Sequence, residues 1–257
     1  MLRAEMNQGD DTRQMSDPTP CRDSRSSRPP DHGPIYAETN LERVVAEPVN
    51  ALSTLIFLAV LLYWAAKALR RWRRHPITVI SLPILAVGFV GGCLYHATRA
   101  HRIWLMMDVF PILILALLAS AYLWSRVLGR VSAALLIVLA SVGGFPLIHR
   151  IGILPRRGRF VAGYVYLALI IVVPAILSLA CRHWRQWPFL AIAAASFGVA
   201  VVFRQADRWI ASLGFAPGSH FLWHLFGGVA TFFVMRYIYG VEEEAATRKV
   251  KTERGDV

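Results

Sequence analysis

Cysteine is scarce in this sequence: Cys21, Cys93 and Cys181 are the three cysteines of a 257-residue chain. An odd and scattered count excludes a disulfide framework, and none of them forms a CxxC metal motif. Charge is scarce as well, because only 17% of the residues are charged, against about 25% in an ordinary soluble domain. The shortage of charge says more about the class of protein than the cysteines do.

The missing charge is concentrated in seven long apolar stretches. They comprise residues 49–66, 77–95, 103–124, 131–148, 160–181, 187–203 and 220–239. Each has roughly 17–22 residues, enough for a helix to cross a hydrocarbon core about 30 Å thick. The sequence therefore predicts an all-α membrane protein, a bundle of seven transmembrane helices.

The segments outside these stretches are short, and the loops are too small to hold a second domain. Together with the apolar stretches, this excludes a soluble enzyme, a nucleic-acid-binding protein and a multidomain receptor. Residues 1–34 are rich in Asp, Arg, Ser and Pro and are expected to be a disordered tail. Residues 35–240 are expected to form the seven-span domain, and residues 241–257 a charged, frayed tail.

The formal net charge of +12 does not indicate a nucleic-acid partner, because the basic residues lie in loops between spans. Basic loops set the orientation of a membrane protein and contact anionic lipid headgroups. The Lys and Arg counts favour an N-terminus outside and a C-terminus inside the membrane. Arg156, Arg157 and Arg159 oppose that orientation.

Six polar residues lie at the ends of predicted spans, where ionisable groups are costly and indicate function by default. They are Glu47, Asn50, His96, Asp108, His220 and His224. Because successive spans run in opposite directions, all six are predicted at one face of the bilayer and at similar depth. Scattered polar substitutions would have no reason to share a face, so the pattern predicts a common site.

The histidines of this group have the spacing of metal ligands. His220 and His224 are one helical turn apart and point from one face of a helix, and His96 adds a third imidazole at the same depth. Three histidines with an open fourth position are typical of a catalytic zinc site, in which Asp108 could orient a ligand or accept a proton from water. The alternative is that these groups only hydrogen-bond between helices.

Oxygen ligands precede the first span. Glu38, Asn40 and Glu47 are donors of the kind that calcium prefers, and the alternative is a solvated segment that helps to start the helix. Ser53 points into the first span. The alternative to a role in the site is that its hydroxyl only bonds back to its own helix. Five other histidines are expected to be solvated or interfacial: His32, His75, His101, His149 and His183.

Three parts of the sequence share motifs with one known family. They are YAETN (36–40) with AEPVNALS (46–53), GGCLYH (91–96) with DVFP (108–111), and FRQAD (203–207) with GSHFLWH (218–224). Together they resemble the alkaline ceramidase family, especially its bacterial members, within the CREST superfamily of seven-span hydrolases. The motifs cover about a fifth of the chain and follow the order of the family.

The resemblance implies a zinc ion held by His96, His220 and His224, with Asp108 beside the metal-bound water. It also implies a structural calcium ion with Glu38, Asn40 and Glu47 as oxygen donors. The reaction of the family is hydrolysis of the amide bond of ceramide, giving a sphingoid base and a fatty acid. A membrane lipid is then the substrate, and no protein partner is implied. The expected location is a bacterial inner membrane, and the Lys and Arg counts place the N-terminus and the site on its outer side.

The sequence departs from the family pattern in three places. The family has a serine, considered an oxyanion donor, where this chain has Gly92, and loss of one such donor typically costs about 100- to 1000-fold in rate. The interval from His96 to Asp108 is one residue longer than usual. The acidic and aromatic residues that precede the Glu38 motif are not clear, because Asp31 is distant and Tyr36 stands in their place.

The sequence thus predicts a zinc-dependent intramembrane hydrolase of ceramide or a related N-acyl lipid, with Asp108, Ser53 and Gly92 at its catalytic position. Ser53 and Tyr95 are the candidates to replace the missing serine. The alternatives are a non-enzymatic seven-helix receptor or transporter, a haem-binding electron carrier, and an inactive hydrolase-like protein that binds lipid.

Overall fold

The computed structural model describes residues 29–150 and 156–254, and every regular element within those ranges is a helix. The helices are α1 (Pro48–Ser53), α2 (Leu55–Ala68), α3 (Pro76–Thr98), α4 (Arg102–Leu128), α5 (Val131–Arg150), α6 (Arg156–Ala180), α7 (Trp187–Ser212) and α8 (His220–Arg254). A short 3₁₀ helix, Leu69–Arg71, follows α2. The all-α prediction is confirmed, and most of the expected N-terminal tail, residues 1–28, lies outside the described residues.

Among the described residues, five helical segments are long and apolar enough to cross a membrane. They are Pro48–Arg71, Pro76–Thr98, Arg102–Leu128, Trp187–Ser212 and His220–Arg254. Shorter apolar segments, Val131–Gly143 in α5 and Leu169–Ala180 in α6, fall within the other two predicted spans. The architecture is that of a helical membrane bundle.

The first span is divided into α1 and α2 at Thr54. Pro48 begins α1, where its missing N–H costs nothing because the first N–H groups of a helix have no partner within that helix. The buried Thr54 donates its hydroxyl to the carbonyl of Ala51, a bond that competes with regular helix geometry. Ser53 therefore lies at a helix end rather than in the middle of a continuous span.

Close helix approaches depend on glycine, as is common where lipid supplies no hydrophobic drive between helices. A Cβ added at Gly91 of α3 would lie 2.4 Å from Met107 of α4, and one at Gly228 of α8 would lie 2.5 Å from Ile56 of α2. Helix α8 is in contact with α1, α2, α3 and α7. It therefore packs against four other helices of the bundle.

Two buried clusters fill the remaining space along α8. One joins Val60 and Trp64 of α2 to Leu82 and Leu85 of α3 and Met235 of α8. The other joins Leu123 of α4, Ala175 and Leu179 of α6, and Tyr237 and Val241 of α8. Dispersion contacts in such clusters are small individually and large together.

The C-terminal segment differs from its prediction, because α8 continues to Arg254 instead of fraying after Gly240. Val241 and Glu242 are buried, and the Glu242 carboxylate accepts the backbone N–H of Ile77 at 2.6 Å and the hydroxyl of Thr78 at 2.6 Å. Glu242, which lies in the part of α8 beyond the apolar stretch, thus caps the first turn of α3.

His75 also differs from its prediction, since it is fully buried and not solvated. Its ring stacks on Tyr239 with centroids 3.7 Å apart, and its Nε2 lies 2.9 Å from a carboxylate oxygen of Glu243. His32 and His101 are exposed, as is His183. The His149 side chain lies outside the described residues.

Candidate metal centre

The three predicted ligands meet at one end of the bundle. His96 lies in the last turn of α3, and His220 and His224 lie in the first turns of α8. Their ligand atoms all lie within 4.8 Å of one another, and the side chains are 0%, 1% and 2% exposed. Among the described residues they are the one group of three or more His, Cys, Asp or Glu that could hold a metal ion.

Glu47 sets the orientation of His96. The Nδ1 atom of His96 lies 2.6 Å from Oε2 of Glu47, and because a carboxylate only accepts, Nδ1 carries the proton. The opposite nitrogen, Nε2, is buried and has no hydrogen-bond partner. Its lone pair is therefore free for a metal ion.

Burial by itself would raise the pKa of Glu47. The hydrogen bond from His96 and the positive charge of Arg99 outweigh that effect, so the pKa of Glu47 lies below its usual value. Glu47 therefore stays a carboxylate near neutral pH. A carboxylate behind a histidine ligand is a common arrangement in zinc proteins, and it fixes the ring tautomer and raises ligand basicity.

Ser53 orients His224 in a similar way. Its hydroxyl lies 2.7 Å from the carbonyl of Asn50 and 2.7 Å from Nδ1 of His224. The hydroxyl has one proton, which it donates to the carbonyl, so His224 Nδ1–H donates to the hydroxyl. The lone pair of His224 then lies on Nε2, and Ser53 acts here as a support for a histidine.

His220 is held by its backbone and by an aromatic ring. Its imidazole stacks on Tyr36 with centroids 3.7 Å apart, and its Nδ1 is buried without a hydrogen-bond partner. Asp207 accepts the backbone N–H groups of Ser219 and His220 at 2.8 and 2.9 Å, and that of Ala37 at 2.8 Å. One carboxylate thus caps α8 and ties the segment around Tyr36 to it.

Asp207 and Arg204 are two residues that sequence reasoning missed, although both lie in the FRQAD motif. The sequence signal that could have pointed to Asp207 is Gly218. This glycine has a positive φ of 68°, and a Cβ added to it would lie 2.3 Å from Oδ1 of Asp207. Only glycine therefore fits beside the carboxylate. The guanidinium of Arg204 lies over the ring of Trp223, 5.0 Å from its centroid. It brings a positive charge to the histidine end.

The Asp108 carboxylate faces Gly92, one helical turn before His96. A Cβ at Gly92 would lie 2.7 Å from Oδ1 of Asp108 and 3.3 Å from Thr54. A serine at this position therefore does not fit without moving Asp108. The absence of the family serine and the placement of Asp108 are two parts of one packing arrangement between α3 and α4.

The other predicted residues have different surroundings. Glu38 accepts the backbone N–H groups of Val49 and Asn50, at 2.7 and 2.9 Å, and so caps α1. The side chain of Asn40 accepts the N–H of Glu42 at 3.0 Å. The Tyr95 hydroxyl is buried and lies 2.4 Å from where a Cβ of Gly33 would stand, so it points towards the segment before α1.

These observations define a multi-pass membrane protein that carries a buried three-histidine centre at one end of its bundle. A protein-family model described as Ceramidase matches residues 38–254, and the chain belongs to the ceramidase family. Membership supports hydrolysis of the amide bond of ceramide by an amidohydrolase, and it implies a lipid substrate and a membrane-embedded protein. No curated protein is similar enough to the chain to count as a match.

Proposed function

We propose that the protein is a zinc-dependent intramembrane amidase that cleaves ceramide or a related N-acyl lipid into an amine and a fatty acid. The observation that carries this proposal is the convergence of His96, His220 and His224, together with their supports. Two of the three rings have a hydrogen-bonded Nδ1, and buried nitrogens of His96 and His220 have no hydrogen-bond partner. Buried polar atoms are rarely left without one unless something else binds them.

The donor set fits zinc. Three neutral imidazoles with room for a fourth ligand are typical of catalytic zinc sites, whereas calcium and magnesium prefer oxygen. Zinc bound there would polarise the scissile carbonyl and lower the pKa of water towards about 7. The chain itself contributes the orientation of the rings, through Glu47, Ser53 and Asp207, and the exclusion of bulk water, through near-complete burial.

Asp108 is the proposed proton carrier. Its carboxylate faces Gly92 of α3, one turn before His96. A carboxylate in that place accepts a proton from the attacking water and passes it to the leaving amine. The role demands a group that titrates, so the amide of asparagine cannot replace it.

Gly92 favours a second candidate function, that of a lipid-binding protein without turnover. The chain has no hydroxyl at the position of the family serine, and Ser53 already donates its proton to the carbonyl of Asn50. Under the main proposal the missing donor makes the enzyme slow. Under the second candidate the site binds lipid and zinc without cleaving the amide.

The proposal includes the number of membrane crossings and the orientation of the chain in the membrane. We take α5 and α6 as the fourth and fifth crossings, which gives seven spans, and place the N-terminus and the histidine end on the outer side of a bacterial inner membrane. A cysteine substituted for the exposed Arg43 tests on which side of the membrane the N-terminal end of the first span lies. Labelling only by a reagent on the cytoplasmic side would reverse the orientation.

The function is tested by mass spectrometry of fatty-acid release from a panel of N-acyl lipids, with detergent-purified protein and with or without a zinc chelator. We expect release that the chelator abolishes and added zinc restores. Release that does not respond to the chelator contradicts the zinc proposal. No release from any lipid by protein that still contains zinc would favour the lipid-binding candidate.

A further inference from the structure

The structure places a buried cation beside the residues that the family resemblance assigns to calcium. Arg99 follows the last turn of α3 and is 0% exposed. It adopts a left-handed backbone conformation, with φ of 50°, which is uncommon for a residue with a Cβ. That conformation turns its side chain back towards the segment before α1.

Two carboxylates surround the guanidinium. Nε and one terminal nitrogen of Arg99 donate to the two oxygens of Asp31 at 2.5 and 3.0 Å, and the other terminal nitrogen donates to Oε1 of Glu47. Both carboxylates are 0% exposed. The guanidinium also donates to the carbonyl of Pro34 at 2.9 Å and lies 4.6 Å from the centroid of the Tyr95 ring.

Glu47 has no lone pair left for a metal ion. Its Oε1 accepts from Arg99 and, at 2.6 Å, from the hydroxyl of Thr39. Its Oε2 accepts from His96 at 2.6 Å and from the side-chain amide of Asn50 at 3.1 Å. A carboxylate has about four acceptor positions, so protein donors saturate this one.

The other expected calcium donors are engaged as well. Both oxygens of Glu38 accept backbone N–H groups, and the side-chain oxygen of Asn40 accepts a backbone N–H. In the part of the chain that the structure describes, Asp31, Glu38 and Glu47 do not form a group of three that could hold a metal. The residues present therefore do not fit calcium.

We propose that Arg99 takes the place of the calcium ion in this chain and acts as a positioning residue for the metal centre. Asp31 and Glu47 carry two negative charges and Arg99 one positive charge, so one net negative charge remains beside His96. The guanidinium fixes the Glu47 carboxylate, and Glu47 fixes the His96 ring. The protein then needs no calcium for its fold or for its zinc affinity.

The first test uses the unmodified, full-length protein in detergent and calcium-depleted buffer. Equilibrium dialysis with radioactive calcium up to about 1 mM, the range of the weakest protein calcium modules, is expected to show no stoichiometric binding. The unfolding temperature is expected to be the same with calcium chloride as with magnesium chloride. One bound calcium per chain, or a rise in unfolding temperature specific to calcium, would overturn the proposal.

The second test asks whether Arg99 supports the zinc ligands, by competition for zinc with a coloured chelator. Arg99→Gln is expected to lower zinc affinity about 10- to 100-fold, the usual effect of losing the support behind a ligand. Arg99→Lys keeps the charge but not the planar fork and should fall between. Arg102→Gln, an equal change of charge on an exposed neighbour, is the matched control. Equal zinc affinity in the Arg99→Gln and Arg102→Gln proteins would contradict the positioning role.

Only the zinc readout rests on the proposed function. If the unmodified protein binds no zinc, the proposed function fails, and the calcium experiment still decides whether Arg99 has replaced calcium. If the Arg99→Gln protein does not fold, the Arg99→Lys protein and the calcium titration of the unmodified protein decide the question.

Discussion

The two ends of the bundle contain similar parts arranged for different purposes. At the histidine end, His220 stacks on Tyr36 with centroids 3.7 Å apart. At the opposite end, His75 stacks on Tyr239 at the same distance. Both histidines are buried and both lie close to carboxylates that cap helices. A buried histidine on an aromatic ring is therefore not, in this fold, a mark of a metal site.

The capping carboxylates make the same point. Asp207 caps α8 at the histidine end, and Glu242 of α8 caps α3 at the other end. Each brings together segments that are distant in sequence, and each satisfies N–H groups that the first turn of a helix leaves without partners. Capping explains why these acids are buried, but it does not distinguish the structural end from the end that carries the candidate metal centre.

The two ends of the bundle differ in whether several imidazole rings lie close together. The rings of His96, His220 and His224 lie with centroids 4.7–5.2 Å apart, whereas His75 faces Glu243 and Glu242 instead of other imidazoles. Nitrogens of several imidazoles close to one another indicate a metal site, whereas an imidazole whose two nitrogens face only carboxylates indicates a structural contact. The predictions below set one end against the other, in order of decreasing effect.

The largest contrast is between His96→Ala and His75→Ala. His96→Ala is expected to abolish zinc binding and to lower turnover by more than about 100-fold. Loss of a residue that only supports a metal ligand already costs up to about 100-fold, and loss of the ligand itself should cost more. His75→Ala should retain one zinc per chain and lose about 1–3 kcal/mol of stability, from the contacts of its ring. Elemental analysis and thermal unfolding measure the two quantities. Loss of zinc from the folded His75→Ala protein would break the comparison.

Asp108→Asn is expected to keep zinc and to lose about 100- to 10,000-fold in turnover, the usual contribution of a general acid–base group. Its counterpart is Glu243→Gln, which removes an acid beside His75 and should leave turnover within about threefold, the scatter expected of single contacts away from the reacting atoms. Zinc content and fatty-acid release are measured on both. Turnover like that of the unmodified protein in Asp108→Asn would refute the proton-carrier role.

Restoring the family serine is expected to harm this chain. A Cβ at Gly92 stands 2.7 Å from Asp108 Oδ1, so Gly92→Ala and Gly92→Ser should both displace the carboxylate. A misplacement of about 1 Å can cost about 100-fold in rate. Gly198→Ala is the control, because a Cβ there meets nothing within 4 Å. Faster release by Gly92→Ser than by the unmodified protein would show that the hydroxyl matters more than the packing.

A smaller contrast comes from the caps. Asp207→Asn and Glu242→Gln are each expected to cost about 1–2 kcal/mol of stability, since each weakens hydrogen bonds to the start of a helix. Only Asp207→Asn should also lower zinc affinity, because it loosens the turn that carries His220. Equal zinc affinity in the two variants would place the His220 backbone under the control of other contacts.

The smallest expected effect is a pH dependence at the His75 end. Burial lowers the pKa of His75 below its ordinary value of 6.5, and Arg71 and Arg74 act in the same direction, whereas the charge and contact of Glu243 oppose it. The unfolded chain then binds more protons than the folded one as the pH falls below about 6.5, so acidification destabilises the fold. The unfolding temperature of His75→Gln should fall less between pH 7.5 and pH 5.5 than that of the unmodified protein, a comparison in which the zinc ligands contribute equally. An equal fall in both proteins would exclude His75 as the cause.

The sequence could predict the helices and the grouping of His220 with His224, because apolar length and an i, i+4 histidine pair are local signals. Because successive spans run in opposite directions, His96 was predicted at the same face of the bilayer as His220 and His224. The supports could not be predicted in the same way. Glu47 reaches His96 and Asp207 reaches His220 across chain separations that only the packed bundle defines.

The burial of His75 could not be predicted from the sequence for a related reason. Beside several arginines it has the sequence context of a solvated loop, and its burial depends on the continuation of α8 past Gly240. The expected calcium donors illustrate the opposite problem. Their types matched a family pattern, whereas Glu47 accepts from Arg99 at the end of another helix, and Glu38 and Asn40 accept backbone N–H groups. Pairings between distant residues, not residue types, decided both outcomes.

The order of the three histidines along the chain has a consequence for biogenesis. His96 belongs to α3, and four helices, α4 to α7, are synthesised before α8 brings the remaining two ligands. A metal ion that needs all three histidines would therefore bind only after the last helix has left the ribosome and has docked. A prematurely truncated product would present one of the three imidazoles and no complete site, so under the proposed function zinc loading would separate finished molecules from unfinished ones during membrane insertion.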